Sequence, residues 1–472
     1  MTGPEANLVE SRRPMNVLHI LPALGPGGPT RGLVTLIRMA RHSHPHIRHC
    51  VVSLRAGEYM PLLFELKRLG VDVVRDAGVE KVIARIRGAD VVLLHFWNTP
   101  DYWRLLTAGL PPSRYILWIK IMGAHAPQLL NQALLGASAA VITTAPEVAI
   151  GTGRNPNVRM IPGLVDSRRI EGLVRAPHDT FNADYIGTPN RGKIHPNFVA
   201  MMARIQVSGI KVRICGGALD SRMQQAIEAS PDPARFDCRG FVEDIGSVLA
   251  TSDLFACPLS ERTYATCDLS FQEAMLAGVP PIVLADRGPS GFVAEGTGVV
   301  ARSEDEFVAA VEYLHRNPDK RALMGRNAQQ YARKVFSPEA NIAALMAFVE
   351  QARGEPARTI FPLQEIPPSS PAGLLFLLSQ NWETEVAAEA VRAWYDGRSD
   401  ALMLYGESLD DEAYQVEGGI LHWRKSMMDD PLIRSWTALW LKRSGRIAEA
   451  VHEQNEAVRL GAPARMLARY AT

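Results

Sequence analysis

Residues 235–260, RFDCRGFVEDIGSVLATSDLFACPLS, and residues 270–300, SFQEAMLAGVPPIVLADRGPSGFVAEGTGVV, alternate short apolar runs with helical ones. RFDCRGF, LFACPLS, PPIVLA and GTGVVA read as strands. Their nearly continuous apolar character is what burial on both faces of a parallel sheet demands. Working outward, FNADYIG and VRICGG add two strands upstream. Downstream, EFVAAVEYLHRN and KRALMGRNAQQYARKVF are long amphipathic helices, and the series finishes near residue 353.

A second such series lies further toward the N-terminus. MNVLHIL, HCVVSL, DVVLLHF, YILWIKI, AAVITT and VRMIP alternate with helical stretches such as TRGLVTLIRMARH and MPLLFELKRLG. The last of these ends on Gly70, the residue type favoured just past a helix end. Two βα series, each long enough for its own sheet, imply an α/β protein of two doubly wound, Rossmann-like domains facing a cleft. The expected boundaries are 1–14 for a disordered arm, 15–166 for the first domain and 167–353 for the second. Residues 354–371 hold five prolines in eighteen positions and read as a linker. Residues 372–472 read as all-α and repeat-like: Pro431 and Pro463 are 32 apart, and the same step back reaches Ser399. Gly418 and Ala450 share that register, with Ala387 and Ala388 one step from it. The final unit, WTALWLKRSGRIAEAVHEQNEAVRLGAP, resembles a tetratricopeptide repeat, which implies about three units; a plain helical tail is the alternative.

The 472 residues are 47% hydrophobic and 21% charged, an ordinary globular balance. Lys+Arg number 51 against 50 Asp+Glu, a net charge of +1, which argues against a protein held on nucleic acid by its overall field. Apolar runs fall far short of the roughly 20 residues a membrane-spanning helix needs, so at most peripheral membrane contact is expected. The charged opening MTGPEANLVESRRPM does not read as a signal peptide. Five scattered cysteines (Cys50, Cys215, Cys238, Cys257, Cys267) read as reduced, mostly buried thiols of a cytoplasmic protein.

Chemistry concentrates at strand ends. In MNVLHILPALGPGGPTRG a strand runs into a glycine-rich turn and a helix. The G-x-G-x-x-G spacing fails, because Thr30 stands where a glycine is required. Two readings of Gly27 and Gly28 stand: backbone N–H groups opened to a phosphate or sugar at a helix N-terminus, or simply a tight turn. The histidines of RHSHPHIRH (His42, His44, His46, His49) read as a solvated connection rather than a metal site, and no metal is assigned.

The motifs R-G-F-V-E-D, S-D-L-F-A-C-P and E-A-M-L-A-G-V-P, in that order and spacing, resemble the donor domain of retaining GT-B glycosyltransferases (glycosyltransferase family 4-like, group 1). Gly27-Gly28-Pro29-Thr30-Arg31 resembles the family's G-G-A-E-R turn, residues 91–97 its D-V-V-H-A-H-F-W strand end, and residues 161–166 its I-P-N-G-V-D connection. The resemblance covers residues 15–350. It implies a nucleotide-sugar donor and no bound cofactor. Lys193, six after Gly187, matches the family lysine at the diphosphate; a solvated loop lysine is the other reading. Thr188 replaces the family arginine, and Arg191 stands in for it. Glu273 matches the carboxylate that grips the ribose hydroxyls. The resemblance further implies that Thr266, Cys267 and Asp268 offer N–H groups to the sugar phosphate, that Phe241 and Val242 lie near the base, and that the Gly27–Gly28 turn closes over the donor and brings Arg31 near. His95 matches the acceptor side. Ala265 replaces a second family Glu. Met122 stands where a family His often falls, so His125 is either a shifted cleft residue or a surface histidine.

The leading expectation is a retaining, metal-independent glycosyltransferase acting on a glycan, protein or small-molecule acceptor, with the tail offering a surface to a protein partner. The alternative is a catalytically degenerate nucleotide- or sugar-binding scaffold acting through its helical repeats. A sugar epimerase of the same build would need a carboxylate dyad that does not stand out.

Overall fold

The computed structural model describes residues 14–146, 148, 155–190, 192–360, 372–380, 389, 392, 393, 396, 398, 416–427 and 429–462. Arg191 lies outside the described residues. So do the arm 1–13, most of the expected linker, and the repeat landmarks Ala387, Ala388, Ser399 and Pro463.

The first sheet contains β1 (Met15–Leu21), β2 (Ile47–Ser53), β3 (Asp72–Val74), β4 (Val91–Phe96) and β5 (Tyr115–Ile119). A short antiparallel hairpin follows, β6 (Ala124–His125) with β7 (Gln128–Leu129), before β8 (Ala140–Thr143) and β9 (Val158–Met160) rejoin the sheet. Its order is β3-β2-β1-β4-β5-β8-β9, with every recorded pairing parallel. Residues of β4 and β5 are buried on both faces, as their unbroken apolar runs require.

The second sheet contains β10 (Phe181–Ile186), β11 (Ile210–Cys215), β12 (Phe236–Gly240), β13 (Leu254–Cys257), β14 (Pro281–Leu284) and β15 (Val299–Ala301), in the order β12-β11-β10-β13-β14-β15. Both sheets therefore reverse direction beside their first strand. That switch opens a crevice at the strand C-termini, where ligands of doubly wound folds bind. A buried ion pair crosses β10 and β11: Asp184 and Arg213 are register partners and hold each other by two hydrogen bonds. Burial raises the Asp184 pKa to about 6 in spite of the Arg213 guanidinium.

The helix Pro338–Arg353 corrects one expected boundary. It ends the second series in sequence, yet it packs on the helix Gly28–Ser43 of the first domain. Ile342, Leu345, Met346 and Val349 fall on one helical face and enter the first domain's core with Leu33 and Ile37. Each such side chain, fully buried, contributes about 2 kcal/mol. The chain thus straps its two domains together after building the second.

The described tail is helical: Ala372–Ser379, Ile420–Ser426, Pro431–Arg443 and Ile447–Arg459. Asp430 accepts the N–H groups of Leu432 and Ile433, each at 2.9 Å, and also that of Gly373 at 2.9 Å. One carboxylate therefore caps one helix and pins another. Phe376 sits between Trp423 and Trp436, with ring centroids 5.6 Å away on either side. This unit is docked on the first domain: Ala372–Ser379 and Ile420–Ser426 both pack against the helix Pro100–Leu106. Among the described residues no helix is long and apolar enough to cross a membrane.

Candidate active site

The first domain contributes the ends of β1, β4, β5 and β8. After Leu21 the chain turns through Gly25–Gly28 into the helix Gly28–Ser43. The Gly27 cap carries no side chain, and the first turn has no acidic residue. Free N–H groups and the positive end of the helix dipole therefore border the cleft without an internal anion. Arg31 folds back, its Nε donating to the Pro26 carbonyl at 2.9 Å while its guanidinium lies over the Tyr59 ring. His95 and Trp97 follow from β4, Trp118 and Lys120 from β5, and Thr144 from β8.

The second domain supplies Lys193 from the loop after β10. Its ammonium is buried and lies 2.8 Å from Asp268 Oδ2. Burial alone would lower its pKa; Asp268, followed by Tyr185 and Tyr264, outweighs burial and raises it, so the ammonium stays charged. Gly187 makes the room, since a Cβ there would stand 2.8 Å from Lys193 Nζ. Glu273, buried in the helix Leu269–Leu276, holds the Arg169 guanidinium, which also donates to the Glu243 carbonyl at 3.0 Å. Burial raises the Glu273 pKa, while Arg169 and then Arg31 oppose the rise. Across the cleft floor Thr144 Oγ1 donates to Thr266 Oγ1 at 2.8 Å, tying the two domains together.

These parts enclose a cleft of about 540 Å³. Among the residues expected from sequence, Gly27, Gly28, His95, Lys193, Thr266, Cys267 and Asp268 line it together. Gly187, Arg31 and Glu273 flank it through the contacts above. Phe241 stands further out, half exposed, with its ring edge-on to Tyr59 at 6.1 Å from the opposite domain. Val242 follows it, partly buried. The turn bends at Gly240, whose φ of +63° suits glycine. His125 is not a cleft residue. It is exposed on the β6–β7 hairpin and borders a separate crevice with Gly192, Arg262, Tyr264 and Val416.

Sequence reasoning missed Lys120, Arg169, Trp97, Trp118 and Tyr264. For Lys120 a signal existed: it is the lone charge closing the apolar run YILWIKI. Arg169 carried none, because its partner Glu273 is 104 residues away.

His49 was read with the solvated histidines, and here the structure differs: it belongs to β2 and joins a row of rings. His95 Nε2 and His19 Nδ1 are 3.0 Å apart, as are His19 Nε2 and His49 Nδ1. A neutral imidazole has one donor and one acceptor nitrogen, so three uncharged rings can bond in a row. The row's two end nitrogens, His49 Nε2 and His95 Nδ1, are left buried without a partner among the described residues. Burial lowers the pKa of each, that of His49 to about 4. Among the described residues no three His, Cys, Asp or Glu side chains gather as metal ligands would.

The tail reaches the cleft as well. Glu417 lines it and binds Arg55 Nη2 at 2.8 Å, and its carbonyl accepts from Gln128 Nε2. Gly418, at φ +86°, lies so close to the Asn98 carbonyl that a Cβ would overlap it. Asn98 completes the junction by donating to the carbonyls of Pro127 and Ser379, each at 2.7 Å.

Two Rossmann-like parallel sheets facing such a cleft, with a helix strapped back across them, make this a GT-B fold. Residues 177–331, about a third of the chain, match the family Glycosyl transferases group 1. Solved structures of the same fold include Anabaena HepE in complex with UDP and glucose, 16% identical with a TM-score of 0.57, covering 71% of this chain and 100% of that one. Sucrose-phosphate synthase from Thermosynechococcus elongatus is 16% identical with a TM-score of 0.57, covering 71% and 98% respectively. A glycosyltransferase from Rickettsia africae is 12% identical with a TM-score of 0.55, covering 72% and 99%. No curated protein sequence matches the chain.

Proposed function

We propose that the protein transfers a sugar from a nucleoside diphosphate sugar to an acceptor hydroxyl, with retention at the anomeric carbon. The observation that carries this reading is a charged lysine, Lys193, held at the cleft opposite the uncapped helix N-terminus at Gly27–Gly28. A leaving diphosphate needs positive groups on both sides as its charge develops. Lys193, with Arg191 two residues before it in sequence, supplies one from the second domain, and the helix end with Arg31 supplies the other. Glu273 binds the ribose hydroxyls, exchanging part of its contact with Arg169 for them. The base lies toward Phe241 and Val242.

In the transfer, the bond between the anomeric carbon and the β-phosphate oxygen breaks and the electron pair leaves with the diphosphate. The acceptor oxygen bonds to the carbon on the face just vacated, and its proton passes to the departing phosphate. No strong protein base is required, in keeping with a neutral His95. The reaction uses no bound metal or cofactor. The HepE complexes with UDP and UDP-glucose make uridine the first base to test. The acceptor is a glycan, protein or small molecule reaching the cleft past the tail, and the reduced thiols fit a cytoplasmic protein.

A reading as a sugar-binding scaffold without turnover also has an observation in its favour. Lys193 and Glu273 are both satisfied internally, by Asp268 and Arg169. Thermal-shift screening with UDP, GDP, ADP and dTDP identifies the diphosphate, because a ligand bound only by the folded state raises stability. Release of that diphosphate from its sugar, abolished in Lys193→Ala, supports transfer. Binding without any release in the presence of varied acceptors favours the scaffold.

A further inference from the structure

Among the described residues three cationic side chains line the cleft, and two are already committed. Arg55 lies 2.9 Å from Asp101 and 2.8 Å from Glu417, while Lys193 lies 2.8 Å from Asp268. The carboxylates that line the cleft, Glu417 and Asp268, are therefore both taken. Lys120 is different. Among the described residues no carboxylate pairs with it, and its ammonium lies 3.2 Å from the centroid of the Trp118 ring. Burial pushes its pKa well down, and no neighbouring acid counters that. A ring face is a weak substitute for a counter-ion, worth about 0.5–2 kcal/mol. An ammonium left in this state gains from any anion brought to it.

The surroundings indicate what that anion is attached to. Trp97 and Tyr264 present flat apolar faces of the kind a sugar ring stacks on, with centroids 5.5 Å apart from opposite domains. Ala265, buried beside Tyr264 and Thr266, adds no negative charge. Lys120 belongs to the first domain at the end of β5, whereas the proposed diphosphate lysine, Lys193, belongs to the second.

We propose that Lys120 is the receptor for a carboxylate carried by one of the two sugars that meet in the cleft, so that the substrate class is an acidic, uronate-type sugar. This rests on the glycosyl-transfer reading and narrows it. The ammonium takes the carboxylate as a charge-assisted pair on the side away from the Trp118 ring. A neutral hydroxymethyl group in the same place leaves the ammonium uncompensated.

The test compares UDP, UDP-glucose and UDP-glucuronate binding to the full chain by calorimetry, in the native protein, Lys120→Met and Lys120→Arg. The native protein binds UDP-glucuronate at least tenfold more tightly than UDP-glucose. Lys120→Met loses that preference with UDP affinity unchanged, and Lys120→Arg keeps most of it. If the two donors bind alike, the second arm compares uronate-bearing oligosaccharide acceptors with their methyl esters. A preference for the free acid that vanishes in Lys120→Met upholds the proposal and puts the carboxylate on the acceptor. Lys120-independent behaviour in both arms overturns it, as does an equal loss of UDP and both UDP-sugars in Lys120→Met, which assigns the lysine to the diphosphate. Failure of the native protein to bind any nucleoside diphosphate overturns the glycosyl-transfer reading instead, a result separate from the others.

Discussion

On the second-domain side of the cleft every charge described here has an opposite within reach: Lys193 with Asp268 at 2.8 Å, and Glu273 with Arg169. On the first-domain side stand three mutually bonded neutral imidazoles, a helix N-terminus without an acidic neighbour, and Lys120 against an indole face. The two sides solve the same problem differently. A buried charge is expensive unless paired, so the donor side keeps its ions by pairing them and must trade partners when substrate arrives. The acceptor side pairs Arg55 with Asp101 and Glu417, and leaves Lys120 to be matched by a ligand. Position in the fold explains part of this. On the donor side Lys193, in the loop after β10, faces the start of the helix Leu269–Leu276 at Asp268, so opposite charges converge there. The histidines instead sit on three adjacent strands, where bonding to one another satisfies them without a counter-ion.

The comparison breaks first at Lys193. Lys193→Ala removes the donor side's fixed cation and leaves Asp268 facing the leaving group. Turnover falls about 10²–10³-fold, the scale seen when a preorganised charge is taken from a transition state. A single-turnover assay with saturating donor reads this directly, and a loss under fivefold would mean the lysine serves the fold alone. Glu273→Gln keeps the shape but unmatches Arg169 and weakens the ribose contact. Donor affinity falls about tenfold, one charge-assisted hydrogen bond's worth, with a smaller change in the rate at saturation. If the dissociation constant holds steady, Glu273 only anchors Arg169.

Much of this architecture was legible in the chain. The apolar runs of β1, β4, β5, β10 and β13 announce both sheets, since a strand covered on two faces leaves little choice of residue. The glycine turn was legible as a strand running into glycines and a helix, whereas Lys193 was legible only through the family resemblance, six residues after Gly187. What escaped depends on distance in sequence. Arg169, in the turn Ser167–Arg169 before β10, meets Glu273 across 104 residues of chain. His19, His49 and His95 lie on three different strands, so their row exists only once β2, β1 and β4 are adjacent. The return of the helix Pro338–Arg353 to the first domain, and the arrival of Glu417 at the cleft, are likewise products of packing that no local pattern encodes.

The tail sharpens the contrast, because it touches the cleft on the acceptor side. Gly418→Val forces a side chain against the Asn98 carbonyl and a β-branched residue into a positive φ, a strain on the order of 1–3 kcal/mol. The turn must withdraw and take Glu417 from Arg55. We expect turnover with acceptor to drop about fivefold while donor affinity stays unchanged. An equal effect on donor binding would place the tail's influence on both sides.

The smallest effect is on pH dependence, and here the two domains pull in opposite directions. Each histidine of the row has its folded pKa lowered, so the unfolded chain binds protons that the folded one refuses. Stability from the row is whole above about pH 6.5 and is lost as pH falls toward about 4, the value for His49. His19 beside it and His44 near it add to that depression or share it. Asp184 in the second domain has a raised folded pKa, about 6, and gains relative stability as pH falls from about 6 to the ordinary carboxylate value of about 4. At pH 5.5 the His49 contribution is on the order of 1 kcal/mol. His49→Asn removes that proton while leaving a side-chain partner for His19 Nε2. Its melting temperature therefore declines less than the native protein's between pH 7.5 and 5.5. Parallel declines in the two proteins would mean that His49 titrates as freely when folded as when unfolded, and that this side of the cleft is not kept neutral by its packing.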